Sequence, residues 1–223
     1  MRYFKPIGAT VSANRNAEIG LFTNPSGVNH AMKENIKEKI LAAGASIIHR
    51  KGYNHTGIQE VLQTVGVPKG SFYFYFKNKE DFGLQVVDYF VSFFSAQASP
   101  VLNDKGIPPL ERMKKFLEEF KVLFKEMNYE CGCPLGNLAQ EMGDLSPAFR
   151  SKLKDSLDLM INLYANVLSE AKQSGDISKD LDIQETAGFI VSSWHGALIR
   201  MKIEKSDKPL DNHIRFIFNH ILK

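Results

Sequence analysis

The sequence predicts an all-α fold in two parts, a compact three-helix unit towards the N-terminus and a larger helical unit after it. Three observations carry that expectation. Apolar residues return every three or four positions over long stretches, no stretch sustains the alternation of a strand, and the turn-forming Gly and Pro clusters fall between the helical patterns.

At 223 residues the chain can bury a substantial core. No window approaches the roughly 18 consecutive apolar residues of a membrane-spanning helix, and no signal-like apolar segment follows the N-terminus, so the expected setting is the cytoplasm, with no membrane partner. Cys131 and Cys133, separated by one glycine, cannot supply the disulfide framework of a secreted protein and are expected to be reduced thiols. The net charge of +3 is unevenly spread: residues 1–31 carry +2, residues 32–82 carry +3 and the remainder −2. A basic N-terminal module on a slightly acidic body suits attachment to a polyanion.

Residues 1–31, rich in Asn and Gly, show no period and are read as a disordered or added leader, with a basic arm as the alternative. From Lys33 to Lys51 the apolar residues Ile36, Ile40, Ala43, Ile47 and Ile48 form one face of an amphipathic helix that Gly52 ends. Thr56-Gly57-Ile58-Gln59 has the spacing of a capping box, so a second helix is expected from about Gly57 to Thr64, followed by a turn at Gly66. Pro68 pre-sets a short third helix, Lys69 to Phe74, and Lys77 to Asp81 start a fourth that is expected to reach about Ala98. A break from Ser99 to Pro109 follows. Helical patterns then cover about Leu110 to Met127, Pro134 to Met142, Pro147 to Gln173, Ile183 to Ile203 and Pro209 to Leu222. The expected division is 1–31 leader, 32–80 helix-turn-helix domain, and 81–223 helical effector-sensing and dimerisation domain.

Two helices joined by a short turn, with a third packed against them, can place the second of the pair in the major groove of double-stranded DNA. Phe72 and Phe76 lie four apart and are expected to face the core, because one short helix cannot bury five consecutive aromatics. Lys69 can then reach a guanine edge or a phosphate, Gly70 permits close backbone approach, and the hydroxyls of Ser71, Tyr73 and Tyr75 can donate to phosphate. Phe74 suits a thymine methyl, Thr56 the phosphate at the second helix's N-terminus, and Lys77 and Lys79 add flanking charge.

The run Ile58-Gln59-Glu60-Val61-Leu62, then Gly66 to Glu80, resembles the N-terminal signature of the TetR family. The resemblance implies a helix-turn-helix DNA-binding domain on an all-helical ligand-binding and dimerisation domain, with repression relieved by a small-molecule inducer. It maps Thr56, Lys69, Gly70, Ser71, Tyr73, Tyr75 and Lys79 as DNA contacts. Many relatives have His where this chain has Phe74 or Tyr75, so the base-reading chemistry differs at that edge.

In the second half, Pro134 fits the first position of a helix and puts Cys133 at or near its N-cap, where free amides and the positive end of the dipole favour thiolate. A lowered thiol pKa is therefore expected; a merely buried cysteine, a thiol packed against a ligand, or a C-x-C pair on a soft metal are the alternatives. The block Gly132 to Ser146 with Arg150, and the segments Gly196 to Ile203 and Pro209-Leu210, resemble the NemR-type, electrophile-responsive subgroup. That resemblance implies Cys133 as the reactive thiol, with Cys131 as an additional one. Lys202 stabilises the thiolate if it approaches Cys133, and is otherwise an ordinary solvated residue. The resemblance also implies a four-helix homodimer interface, here using Ile190, Trp194, Ala197, Met201, Ile214 and Phe218, with a core role as the alternative for Trp194. No cofactor or metal is called for. No local signature of thiol catalysis joins Cys133 to any of the six histidines, which argues against an enzyme. A helical interaction module without DNA binding is the reading from a different class.

Overall fold

The computed structural model describes residues 36–223. The expected leader, residues 1–31, and the first residues of the expected first helix lie outside them. Among the described residues the regular structure is entirely helical. The chain divides into two compact units, one running to Ala96 and including Asn137–Lys152, the other comprising Gln97–Gly136 and Leu153–Lys223.

The first unit contains α1 (Ile36–Lys51), α2 (Ile58–Thr64), a 3-10 turn (Lys69–Ser71) that runs into α3 (Phe72–Tyr75), and most of α4 (Lys79–Leu102). It therefore reaches past residue 80, because Phe82, Val86 and Phe90 of α4 are buried and complete its core with Ile40, Val61, Leu62, Phe72 and Phe76. Phe72, Phe76 and Phe82 form a ring cluster with centroids 5.0 to 5.6 Å apart. Gly44 lets the chains approach there, since a Cβ on it would lie 2.2 Å from the Phe82 ring. Each fully buried Phe contributes about 2–3 kcal/mol by leaving water.

α1 ends at Gly52, whose φ of +87° only glycine adopts without strain. The expected capping box at Thr56 is not formed. α2 starts one residue later with Gly57 as N-cap and no side-chain cap, while the Thr56 hydroxyl donates to the Gly52 carbonyl at 2.7 Å. Asn78 opens α4: its side-chain oxygen accepts from the Asp81 amide at 2.8 Å.

The second unit holds the end of α4, α5 (Pro109–Glu126), the start of α6 (Pro134–Met142), most of α7 (Pro147–Ser174), α8 (Ile183–Glu204), and α9 (Lys208–Phe216) with a π-helical turn (Ile217–Ile221). Its core gathers Met113, Phe116, Leu117, Tyr164, Leu168, Ile190, Leu198, Met201 and Ile214. α4 passes the expected break and runs through Pro100 to Leu102. The buried Arg112 holds the end of that helix: its guanidinium donates to the Leu102 carbonyl at 2.5 Å and pairs with Glu170 at 2.5 Å. α8 is capped by Asp182, whose carboxylate accepts from the Glu185 amide at 2.9 Å, and ends at Lys205 in the left-handed region.

Candidate nucleic-acid interface and effector region

The amphipathic logic of α3 is borne out atom by atom. Phe72 and Phe76 are 0% and 2% exposed, whereas Tyr73 is 63% and Phe74 is 87% exposed. Lys69, Gly70 and Lys77 are exposed, and Ser71 and Tyr75 are half-buried. A short helix pinned by two buried rings thus presents a cation, a glycine, Tyr73 and a bare phenyl ring to solvent, with Tyr75 at its rim. Phe74 is the most exposed of the large apolar side chains among the described residues, and Tyr73 stands beside it in solvent.

Two of the expected contact residues have partners within the protein. Thr56 is only 1% exposed and its hydroxyl donates to the Gly52 carbonyl, so its side chain closes the α1–α2 turn. Lys79 also turns inward: its ammonium lies 4.6 Å over the Tyr53 ring and donates to the Asn54 carbonyl at 3.4 Å. Burial pulls the Lys79 pKa down, against the attraction of Glu141. The exposed cations of the reader are therefore Lys69 and Lys77.

One contributor to this module went unnoticed in the sequence. Glu141 of α6 accepts from the Tyr53 amide at 2.8 Å and from the Asn54 amide at 2.7 Å, one carboxylate oxygen for each. No local pattern announces it, because its partners are 87 and 88 positions away.

In the second unit, the turn between α5 and α6 is built from left-handed residues: Asn128, Tyr129, Cys131 and Gly132 have φ between +53° and +80°. The Lys202 side chain packs close by, 3.3 Å from where a Cβ on Gly132 would lie. Lys202 approaches this turn and donates to the Cys131 carbonyl at 3.3 Å.

Cys133 is half-buried and directly precedes Pro134, so that the Leu135 and Gly136 amides bond to its sulfur. The expected lowering of its pKa does not follow. Desolvation outweighs the two amides and pushes the thiol up. Nearby lie the buried Tyr164, whose phenol burial and the Cys133 charge push up, and the His195 ring. A Cβ on Gly136 would be 3.6 Å from His195 Nε2 and 3.7 Å from the Cys133 Cβ. His195 Nε2 is buried without a hydrogen-bond partner, and burial lowers the ring's pKa.

The expected dimer residues are mostly interior. Ile190, Trp194, Met201 and Ile214 are 0%, 7%, 0% and 4% exposed, and Ala197 and Phe218 are half-buried. Trp194 packs edge-on against His213 at 5.2 Å. α8 is apolar on two faces, and the outer one carries Phe189, Ser192, Gly196, Ile199 and Ile203 at alternating spacings of three and four. Phe189, Ile199 and Ile203 are 49%, 43% and 74% exposed, as is half of Phe216 on α9. The periodicity of this second stripe was readable; which of the two faces turns inward was not.

No described helix is long and apolar enough to cross a membrane. Residues 40–86 match the family described as bacterial regulatory proteins, tetR family, and residues 109–217 match the tetracyclin repressor-like C-terminal domain. Among similar proteins are the transcriptional regulator AcuR of Cereibacter sphaeroides, 33% identical over 83% of this chain and 84% of that one, and the transcriptional repressor DhaR of Mycobacterium sp. strain GP1, 30% identical over 84% and 92%. The crystal structure of the reduced form of E. coli NemR superposes with a TM-score of 0.77 at 25% identity, covering 85% of this chain and 98% of that one.

Proposed function

The chain belongs to the TetR family of bacterial regulatory proteins, and from that premise we propose that it is a transcriptional repressor which binds a palindromic operator as a homodimer and is released by a small-molecule inducer. The observation that carries this reading is the outward face of the 69–75 reader, where Lys69, Tyr73 and Phe74 stand in solvent on a helix held from beneath by Phe72 and Phe76. Lys69 supplies charge to a phosphate or guanine, Tyr73 and Tyr75 donate to phosphate oxygens, and Phe74 meets a thymine methyl. The exposed stripe of α8 with Phe216 is the surface a second copy covers, and two-fold symmetry then sets half-sites about 34–36 Å apart or a multiple of that.

Mobility shift of a duplex from the protein's own upstream region, titrated with salt, tests the reading. A sequence-selective shift that weakens steeply with salt supports it; no shift under low salt favours a helical interaction module without DNA binding.

For release, the reading is covalent modification of Cys133, with Cys131 beside it, by an electrophile or oxidant. With an α,β-unsaturated carbonyl, the sulfur bonds to the β-carbon and the thiol proton ends on the α-carbon. The raised pKa of Cys133 and the buried phenol near it favour a second reading, a non-covalent lipophilic or acyl-type inducer held in the same unit. Intact mass and operator release measured together before and after N-ethylmaleimide separate the two: release that persists when both Cys133→Ser and Cys131→Ser are introduced sinks the covalent reading.

A further inference from the structure

The α1–α2 turn of the reader module holds an anion of the protein's own. Gly52, left-handed at φ +87°, is followed by two residues whose amides point to the same place, and such successive N–H groups form a concavity that binds negative charge. Glu141 fills it, bonding Tyr53 and Asn54 at 2.8 and 2.7 Å. The fit is close: a Cβ on Gly52 would lie 2.9 Å from a Glu141 carboxylate oxygen. Asn54 Nδ2 reaches the Met142 sulfur at 3.7 Å, and the Tyr53 ring packs edge-on against Phe149 at 4.9 Å. Ser146 donates to Glu80 at the start of α4 at 2.6 Å.

Glu141 is the penultimate residue of α6, where the negative end of the helix dipole disfavours a carboxylate. Its placement therefore gains nothing for α6 itself, and the compensation comes from the turn. The residues that follow the turn are those of α2, and Lys79, which flanks α3, closes on the Asn54 carbonyl from the other side.

We propose that Glu141 is the positioning residue through which α6 sets the conformation of the DNA-reading module. This rests on the reading of residues 69–75 as the DNA reader.

The test is Glu141→Gln, which keeps the shape but sets an NH2 group against one of the two amides. Neutralising an acid near a DNA surface strengthens binding if charge alone matters. Positioning gives the opposite sign: operator affinity falls about tenfold, the loss expected for charge-assisted hydrogen bonds, with the salt slope unchanged because no phosphate contact is removed. Amide exchange at Tyr53 and Asn54 quickens while that of α2 and α4 does not. Gly52→Ala, which crowds the carboxylate, is expected to weaken binding too, and the double variant to lose less than the two single losses combined. Operator binding by Glu141→Gln equal to or tighter than wild type, or strictly additive losses, overturns the proposal. If the wild-type protein shifts no duplex, the reader assignment falls instead, and the exchange measurement alone decides the clamp: unchanged exchange at Tyr53 and Asn54 refutes it, faster exchange supports it.

Discussion

Truncating Phe74 to alanine separates what the reader helix does from what holds it. The ring is 87% exposed, so its removal from the free protein changes stability by no more than about 0.5 kcal/mol. On DNA the same ring gives up on the order of 100 Å² of apolar surface, worth roughly 2.5 kcal/mol at ~25 cal/mol per Å², or about seventyfold in Kd for each reader. The contact is apolar, so the dependence of Kd on salt keeps its slope, whereas Lys69→Ala reduces that slope by about one per reader. Phe72→Ala serves as the contrast. Its ring is 0% exposed, and the cavity left among Phe76, Phe82 and Tyr73 costs roughly 3–5 kcal/mol, a fall of about 6–20 °C in Tm. Fluorescence anisotropy on a labelled operator duplex between about 50 and 200 mM salt, with thermal melts of the same samples, reads both effects. Equal operator affinity of Phe74→Ala and wild type, or a melting point lowered as far as by Phe72→Ala, refutes the reasoning.

Other outcomes follow from the same structure. Ile203→Asp places a charge at the most exposed apolar position of the α8 stripe, and sedimentation velocity is expected to show a dimer for the wild type and a monomer for the variant, with the helical content unchanged. A dimer as strong as wild type moves the interface elsewhere. Because burial raises the Cys133 pKa, the thiolate fraction near neutrality is below that of a free thiol, and its alkylation by iodoacetamide continues to accelerate with pH beyond the point where a free cysteine levels off. A plateau near neutral pH contradicts the structure. Arg112→Ala removes a side chain that is 2% exposed and leaves the Leu102 carbonyl and Glu170 without it. Glu170 keeps Lys105 and contact with water, so the expected loss is about 3 kcal/mol by denaturant unfolding, at the low end for a broken buried pair.

The elements that the sequence predicts correctly share one property: their signals act within a few residues. Pro134 and Pro147 each stand at the first position of a helix because their fixed φ and missing N–H suit it, and Gly52 ends α1 because the left-handed turn admits little else. The four-residue spacing of Phe72 and Phe76 likewise needs only the helical period to decide which rings go inward. Even where the residue type is right, local chemistry stops short of the outcome. Thr56 has the side chain of a cap but bonds back to Gly52, and Lys79 has the charge of a phosphate ligand but folds over Tyr53. In both cases a nearer partner competes for the same polar group.

The sequence by itself determined the helical class, the order and limits of most helices, which rings of the 69–76 segment turn inward, and the family. Only the tertiary structure decided which apolar face of α8 turns inward, that the Cys133 thiol is pushed up, and that Glu141 holds the turn before α2. The physical reason is the range of the forces involved. Capping and backbone preference depend on neighbours along the chain, whereas burial, desolvation and long-range hydrogen bonding depend on groups brought together from tens of residues away. A helix apolar on two sides has no intrinsic inside, and a cysteine's pKa follows what excludes water from it.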